Sequence, residues 1–342
     1  MIRLSRFFLI LAVGVFLCPW LCGCRPSTSQ RPGDKSSPAS SPMICTTIFP
    51  ITELTRKIAG DKYQVRQLIP PGNDPHFFSL TPERTRIALE SQLILGHSEI
   101  MEPWLQRLAR LSSEHATIRI GYVCAFLYAE HHLHETHHAV SRESAENVAG
   151  HGHHHDHGSV NPHIWLSPLG AKKMASAIYD RLCEVFPRHQ PVFHRNLDRV
   201  VTELDSLDKW FRNALAGRKT DVGIPVAGHR VFDHLASDYH LEFYYLNNHL
   251  SSEQGGTVRD LQQFMARMKR DGCTRFLYDP IENEVIARKL MKPGKVEGVR
   301  FYTLGNVSPD QWEHGDFIKL LRYDLEQIIA LLPPQPENQR KP

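Results

Sequence analysis

The sequence predicts an α/β protein of two lobes, each a parallel sheet flanked by helices, joined by one long backbone helix. Three observations predict it. Short β-branched runs alternate with helical periods through residues 43–187, which implies parallel strands linked by crossover helices. The same rhythm resumes over residues 218–334 with no sequence repeat between the halves, so two similar lobes are favoured over one large sheet. Between them, Val192, Leu197, Val200, Val201, Leu204, Leu207, Phe211 and Leu215 fall near helical spacing with no Gly or Pro until Gly217.

In the first half, residues 44–49 (ICTTIF) read as a buried strand and 51–59 as a helix. A second strand over 64–69 ends at the turn Pro70-Pro71-Gly72. Thr81-Pro82-Glu83 opens a helix to Ser91, with Thr81 as N-cap and Pro82 in the first helical position. Residues 93–95 read as strand, 102–111 as helix and 117–123 as strand. The linking helix, placed within 188–217, spans roughly 25 residues, or about 37 Å at 1.5 Å per residue. Such a helix is a stiff strut between lobes, or else an ordinary packed helix of a single domain. In the second half the strands are 224–228, 242–246, 275–278 and 299–304. The helices are 231–239, 257–270 closed by Gly272, 283–291 and 316–332, and residues 335–342 form a tail.

Composition limits the function. The chain of 342 residues is 41% hydrophobic and 23% charged, which excludes a disordered or collagen-like chain. A net charge of +3 gives no basic footprint for nucleic acid. Arg3 and Arg6 precede an apolar run over 7–17, the pattern of a secretory signal and too short to span a bilayer. The run ends at Leu21-Cys22-Gly23-Cys24, which resembles a bacterial lipobox. That resemblance implies cleavage of residues 1–23 and lipid on Cys24; an ordinary signal peptide cut nearby is the other reading. Loss of Arg3 and Arg6 takes the charge from +3 to +1. Residues 25–42 hold six serines and four prolines, so 24–42 are expected to be a flexible tether. The protein is thereby placed in the periplasm or on the extracytoplasmic face of a bacterial membrane, held by its lipid alone.

The compositional outlier is histidine. Of 21, ten crowd one segment: His131, His132, His134, His137, His138, His151, His153, His154, His155 and His157. Residues 130–158 have no apolar periodicity and read as a loosely ordered loop of the first lobe. Clustered imidazoles there bind zinc, nickel or copper weakly at several sites. The loop either captures or senses metal, or it is a solvated insertion with no part in affinity.

Four further residues stand where ligands bind in open α/β sheets. His76, His229 and Asp279 follow predicted strands, and His163 stands at a helix entry. Three neutral imidazoles and one carboxylate suit a divalent first-row metal, with nitrogen favouring Zn2+ over Mn2+ or Fe2+. Taken singly, a histidine at a strand end is more often a hydrogen-bonded loop residue than a ligand.

Longer motifs decide between these readings. His76-Phe77-Phe78-Ser79-Leu80-Thr81-Pro82, Glu102-Pro103-Trp104, Asn161-Pro162-His163-Ile164-Trp165-Leu166-Ser167-Pro168, His229 with Phe232, and Tyr278-Asp279-Pro280 resemble the motifs of the substrate-binding lipoproteins of bacterial zinc and manganese ABC importers, the cluster A-I solute-binding proteins. The resemblance covers about residues 43–332. It implies two α/β lobes joined by the long helix, and a metal held in the cleft by His76, His163, His229 and Asp279. It also implies restricted lobe movement and delivery to an ABC permease with its ATPase, by a monomer that is not an enzyme. Histidine at the third site is similar to zinc-type members, which also carry a His-rich loop before the second motif. Asn161 stands for a more usual Asp and Arg84 for another. His234 and His240 stand for the usual Tyr and Gly, which makes His234 a competitor of His229. Because ligands bind unprotonated, affinity is expected to fall through the histidine range. A zinc hydrolase is disfavoured, since no H-E-x-x-H occurs. A metal-containing adhesin or scaffold lipoprotein stays open. Cys45 and Cys124 either pair in an oxidising compartment or are buried free thiols.

Overall fold

Two four-stranded parallel sheets carry the chain, in the orders β2-β1-β3-β4 and β6-β5-β7-β8. The computed structural model describes residues 41–113, 118–127, 160–250, 257–292 and 295–335. Cys24, the tether up to residue 40 and all ten histidines of the His-rich segment lie outside the described residues; Pro42, placed at the end of the tether, already joins the first sheet by accepting from Gln64 N at 3.0 Å. The first sheet is built from β1 (Met43–Thr46), β2 (Gln64–Gln67), β3 (Leu93–Gly96) and β4 (Arg119–Tyr122). Around it pack α1 (Phe49–Ala59), α2 (Pro82–Leu89) and α3 (Trp104–Ser113). Then α4 (Pro168–Val185) leads to the long helix α5 (Gln190–Leu215), whose 26 residues extend about 39 Å. The second sheet comprises β5 (Gly223–Val226), β6 (Glu242–Tyr245), β7 (Arg275–Tyr278) and β8 (Glu297–Arg300). Its helices are α6 (Asp233–Tyr239), α7 (Val258–Arg270), α8 (Glu284–Met291), α9 (Pro309–His314) and α10 (Phe317–Leu331). Among the described residues no helix is long and apolar enough to cross a membrane.

Alternation along each strand feeds two layers, as expected of sheets covered on both faces. Ile44, Leu93 and Leu95 face one core while Cys45 and Ile94 face another. In the second sheet Val226 and Leu277 face inward, and Phe276 and Tyr278 outward. The inner faces of both sheets, α1, α4 and α10 share one continuous apolar core with Phe193, Leu204 and Phe211 of α5. The long helix is therefore both a link and a packed core element.

Local sequence explains the ends. Thr81 accepts from Arg84 N at the start of α2, and Thr257 and Asp260 form a capping box on α7. Gly60 and Gly272 take positive φ just past α1 and α7.

Three expectations are corrected or resolved. The last strand, expected over 299–304, is Glu297–Arg300. Phe301 N still donates to Tyr278 O, but from Tyr302, whose N–H goes to Asp324 Oδ1, the segment leaves the ladder and crosses to the other lobe, where Thr303 O accepts from Trp165 Nε1 at 2.7 Å. Helix α9 was not expected, although Ser308 and Gln311 form its capping box. Cys45 and Cys124 are buried free thiols. β3 separates β1 from β4, so their axes lie about 9.6 Å apart, beyond disulfide reach.

Candidate metal centre

Both strand orders reverse beside the first strand of their sheet, and the crevice at such a reversal is open at the carboxyl ends of the strands. His229 lies three residues past β5, and Asp279 directly past β7, on either side of the second sheet's reversal. His76 comes from the loop after β2. Asp74 caps the short 3-10 turn Pro75–Phe77 by accepting from His76 N at 2.9 Å, which fixes that backbone. His163 begins the 3-10 turn Ile164–Leu166, which enters α4 through Ser167. Gly170 lets this turn sit on the helix, since a Cβ there would lie 2.1 Å from Ile164 O.

These loops bring three imidazoles together. His163 Nε2 lies 3.4 Å from His76 Nε2 and 3.3 Å from His229 Nε2. One ligand atom from each residue falls within 4.8 Å of the others. Zn–N bonds near 2.05 Å give a tetrahedron with edges of about 3.3 Å, so the two edges from His163 match those of one ion held by imidazole nitrogens. His163 and His229 are buried, and His76 is only partly so. Burial, and then the neighbouring rings of His229 and His76, hold His163 well below the usual histidine range. Burial likewise lowers His76. Both rings are therefore neutral at neutral pH, with lone pairs available.

The surrounding polar groups aim the rings. His163 Nδ1 donates to Asn161 Oδ1 at 2.8 Å, which leaves Nε2 as the lone-pair nitrogen. Asn161 Nδ2 donates to Arg230 O in the other lobe, so the amide orientation is set. His97, fully buried after β3, donates from Nε2 to Pro162 O at 2.8 Å and pins the same segment. His229 Nδ1 lies 3.3 Å from Glu282 Oε2.

Two named residues are not brought into the triad. Asp279 spends both oxygens on backbone: Oδ1 accepts from Ile281 N and Oδ2 from Thr303 N, each at 2.7 Å. Burial first, then the charge of Glu282, push its carboxyl up to about 7. His234, the possible competitor of His229, donates from Nε2 to Asn161 O at 2.8 Å and lies outside the group.

With the geometry in hand, comparison with known proteins gives a family. The model described as ZnuA, zinc-uptake complex component A periplasmic, matches residues 44–330. The chain belongs to the ZnuA family. It is similar to the zinc-binding lipoprotein AdcA of Streptococcus pneumoniae, at 24% identity over 286 residues, covering 83% of this chain and 54% of that protein. It is also similar to the high-affinity zinc uptake system protein ZnuA of Bacillus subtilis, at 23% identity, covering 95% of this chain and 96% of that one. The chain thus spans about half the length of the AdcA relatives it matches. In fold it resembles the Zn(II)-bound ZnuA-like domain of S. pneumoniae AdcA, with TM-score 0.66, 21% identity, and coverage of 85% of this chain and 98% of that domain.

For a ZnuA-family chain the sequence motifs marked the histidines and Asn161, which aims His163, but not the partners that come from other loops. His97 was signalled only by its place after a buried strand, and Glu282 only by its closeness to Asp279 in one loop. The Trp165–Thr303 contact joins residues 138 apart in sequence, and no local pattern announces it.

Proposed function

We propose that this chain is an extracytoplasmic zinc receptor that captures the ion between its lobes and delivers it to an ABC permease and its ATPase. The observation that carries the reading is the Nε2 triad, with spacings of 3.3 and 3.4 Å that match a zinc tetrahedron. His76, His163 and His229 hold the ion. The fourth corner takes water or a donor from the acceptor. Asp279 braces the loop behind the site through its backbone hydrogen bonds. The family, and relatives named for zinc binding and zinc uptake, support the same cargo. The signal sequence and Cys24 supply secretion and a lipid anchor, and the histidines of residues 131–157 are auxiliary metal ligands. The protein holds and hands over its ion and does no chemistry on it.

The test is metal analysis of the purified mature protein, together with chelator-competition titration of alanine variants at His76, His163, His229 and Asp279. Trp165, whose ring centre is 5.2 Å from that of His163, reports binding by fluorescence. One tightly held zinc per chain is expected to survive dialysis, beyond any weakly held by the auxiliary histidines, with manganese bound more weakly. Each histidine variant is expected to lose more than about 100-fold in affinity, whereas Asp279→Ala stays within the roughly 10–100-fold typical of outer partners. Wild-type zinc affinity in His163→Ala overturns the reading.

A further inference from the structure

We infer that Glu282 is the positioning residue of His229: its carboxylate holds the ring in the Nδ1–H form and so turns the Nε2 lone pair toward His76 and His163. The inference rests on the three-histidine reading above and adds a residue that none of the sequence motifs includes.

The loop between β7 and α8 is tied to itself. Asp279 Oδ1 accepts from Ile281 N, and Asn283 N donates to Asp279 O, so Glu282 is carried at a fixed place in a tight turn. Its side chain is only 7% exposed. Thr303 Oγ1 donates to Glu282 Oε1 at 2.9 Å, and Thr303 N donates to Asp279, which anchors the carboxylate to the segment crossing between lobes. The remaining oxygen, Oε2, is buried with no hydrogen-bond partner, and His229 Nδ1 lies 3.3 Å from it as an ion-pair contact outside hydrogen-bond geometry.

Two opposed lone pairs at that distance would leave a buried charge uncompensated, so a proton on Nδ1 is favoured, which a small turn of the ring would bring to Oε2. The proton therefore sits on Nδ1. The other nitrogen, 3.3 Å from His163 Nε2, then presents its lone pair to the triad. His163 receives the same service from a neutral amide, Asn161. Three neutral ligands leave both charges of a divalent ion unbalanced, and Glu282 sets a carboxylate 3.3 Å from a ligand ring.

The experiment measures the tautomer and the affinity separately. Long-range 1H–15N correlation of the metal-free protein is expected to show His229 protonated at Nδ1. Glu282→Ala is expected to shift it toward the Nε2–H form and to weaken zinc binding by about 10–100-fold in chelator competition. Glu282→Gln keeps an acceptor oxygen and the side-chain shape, and is expected to retain the Nδ1–H form with an affinity between the other two. A wild-type ring already protonated at Nε2 overturns the inference whatever the variants do, so a misfolded Glu282→Ala leaves it decidable. A Glu282→Ala protein with unchanged tautomer and wild-type affinity also overturns it. If His163→Ala binds zinc normally, the three-histidine reading fails instead, and the tautomer spectrum still judges Glu282.

Discussion

A buried carboxyl and a buried imidazole tie stability to pH in opposite directions. Glu102 is fully buried, and its Oε2 accepts from His97 N. Burial pushes its carboxyl up to about 7, against the pull of the Thr47 hydroxyl and the N–H groups of His97 and Ser98. An acid raised in the folded state contributes stability that is complete below its unfolded value of 4.5 and is lost as pH rises through 7. His97, lowered to about 3 by burial, does the reverse: its contribution is present above 6.5 and is lost as pH falls toward 3. Glu102→Gln resembles the protonated acid at every pH. The stability of this variant relative to wild type is therefore expected to improve by about 3 kcal/mol between pH 4.5 and pH 8, read from urea unfolding of both proteins. A difference that stays flat across that range would show the folded Glu102 carboxyl to titrate as it does in the unfolded chain. His97, with Glu282, also shows where sequence reading stops at the site. His76, His163 and His229 were legible because each stands in a motif after a strand or before a helix. Asn161 was legible with His163 in one motif, but His97 and Glu282 were not, since His97 to Pro162 and Glu282 to His229 are contacts made by packing between distant loops.

Short elements of this chain keep their local signals, and most could be placed from sequence. Thr257 and Asp260, Thr81 and Pro82, and Gly272 all mark their helix ends where the structure has them. The miss at β8 is instructive: Phe301 to Leu304 continue its apolar pattern, but the backbone of Tyr302 goes to Asp324 and that of Thr303 to Asp279 and Trp165, and Leu304 even turns to a φ of +59°. A departure of the opposite kind closes α6. His240, which stands for the family's usual Gly, caps the helix with φ +53° and ψ +47°, in the left-handed region. An L-residue there costs about 1 kcal/mol that glycine avoids. His240 is exposed, so little packing is lost on its removal. His240→Gly is accordingly expected to raise stability by about 0.5–1 kcal/mol, measured as an increase in the urea midpoint at unchanged m-value. A lower midpoint would mean that the imidazole contributes more than its backbone costs.

The lobes meet through too much structure to swing apart. α5 runs unbroken for 26 residues, and its buried face joins a core that includes strands of both sheets. Lys57 of α1 bridges Asp316, the N-cap of α10, at 2.9 Å and also Glu203 of α5 at 3.1 Å. Close to the triad, the lobes are cross-linked by Trp165 Nε1 to Thr303 O, Asn161 Nδ2 to Arg230 O, and Gly72 N to Val307 O. A wide hinge opening would have to break these hydrogen bonds and expose part of a shared apolar core. That cost runs to several kcal/mol, at about 25 cal/mol per Å2 of apolar surface and about 1 kcal/mol per hydrogen bond. A ligand can offset it only through a matching difference in affinity between the two states. His76 is the least buried of the three histidines and sits on a loop outside both sheets, so entry and exit of the ion are expected to move this loop rather than a lobe. Small-angle scattering of the mature protein, zinc-loaded and stripped by chelator, should then give the same radius of gyration. Hydrogen exchange should change at residues 70–78 while α5 stays protected in both forms. A radius that grows on stripping, together with exchange appearing along α5, would refute the rigid frame and make the long helix itself the hinge.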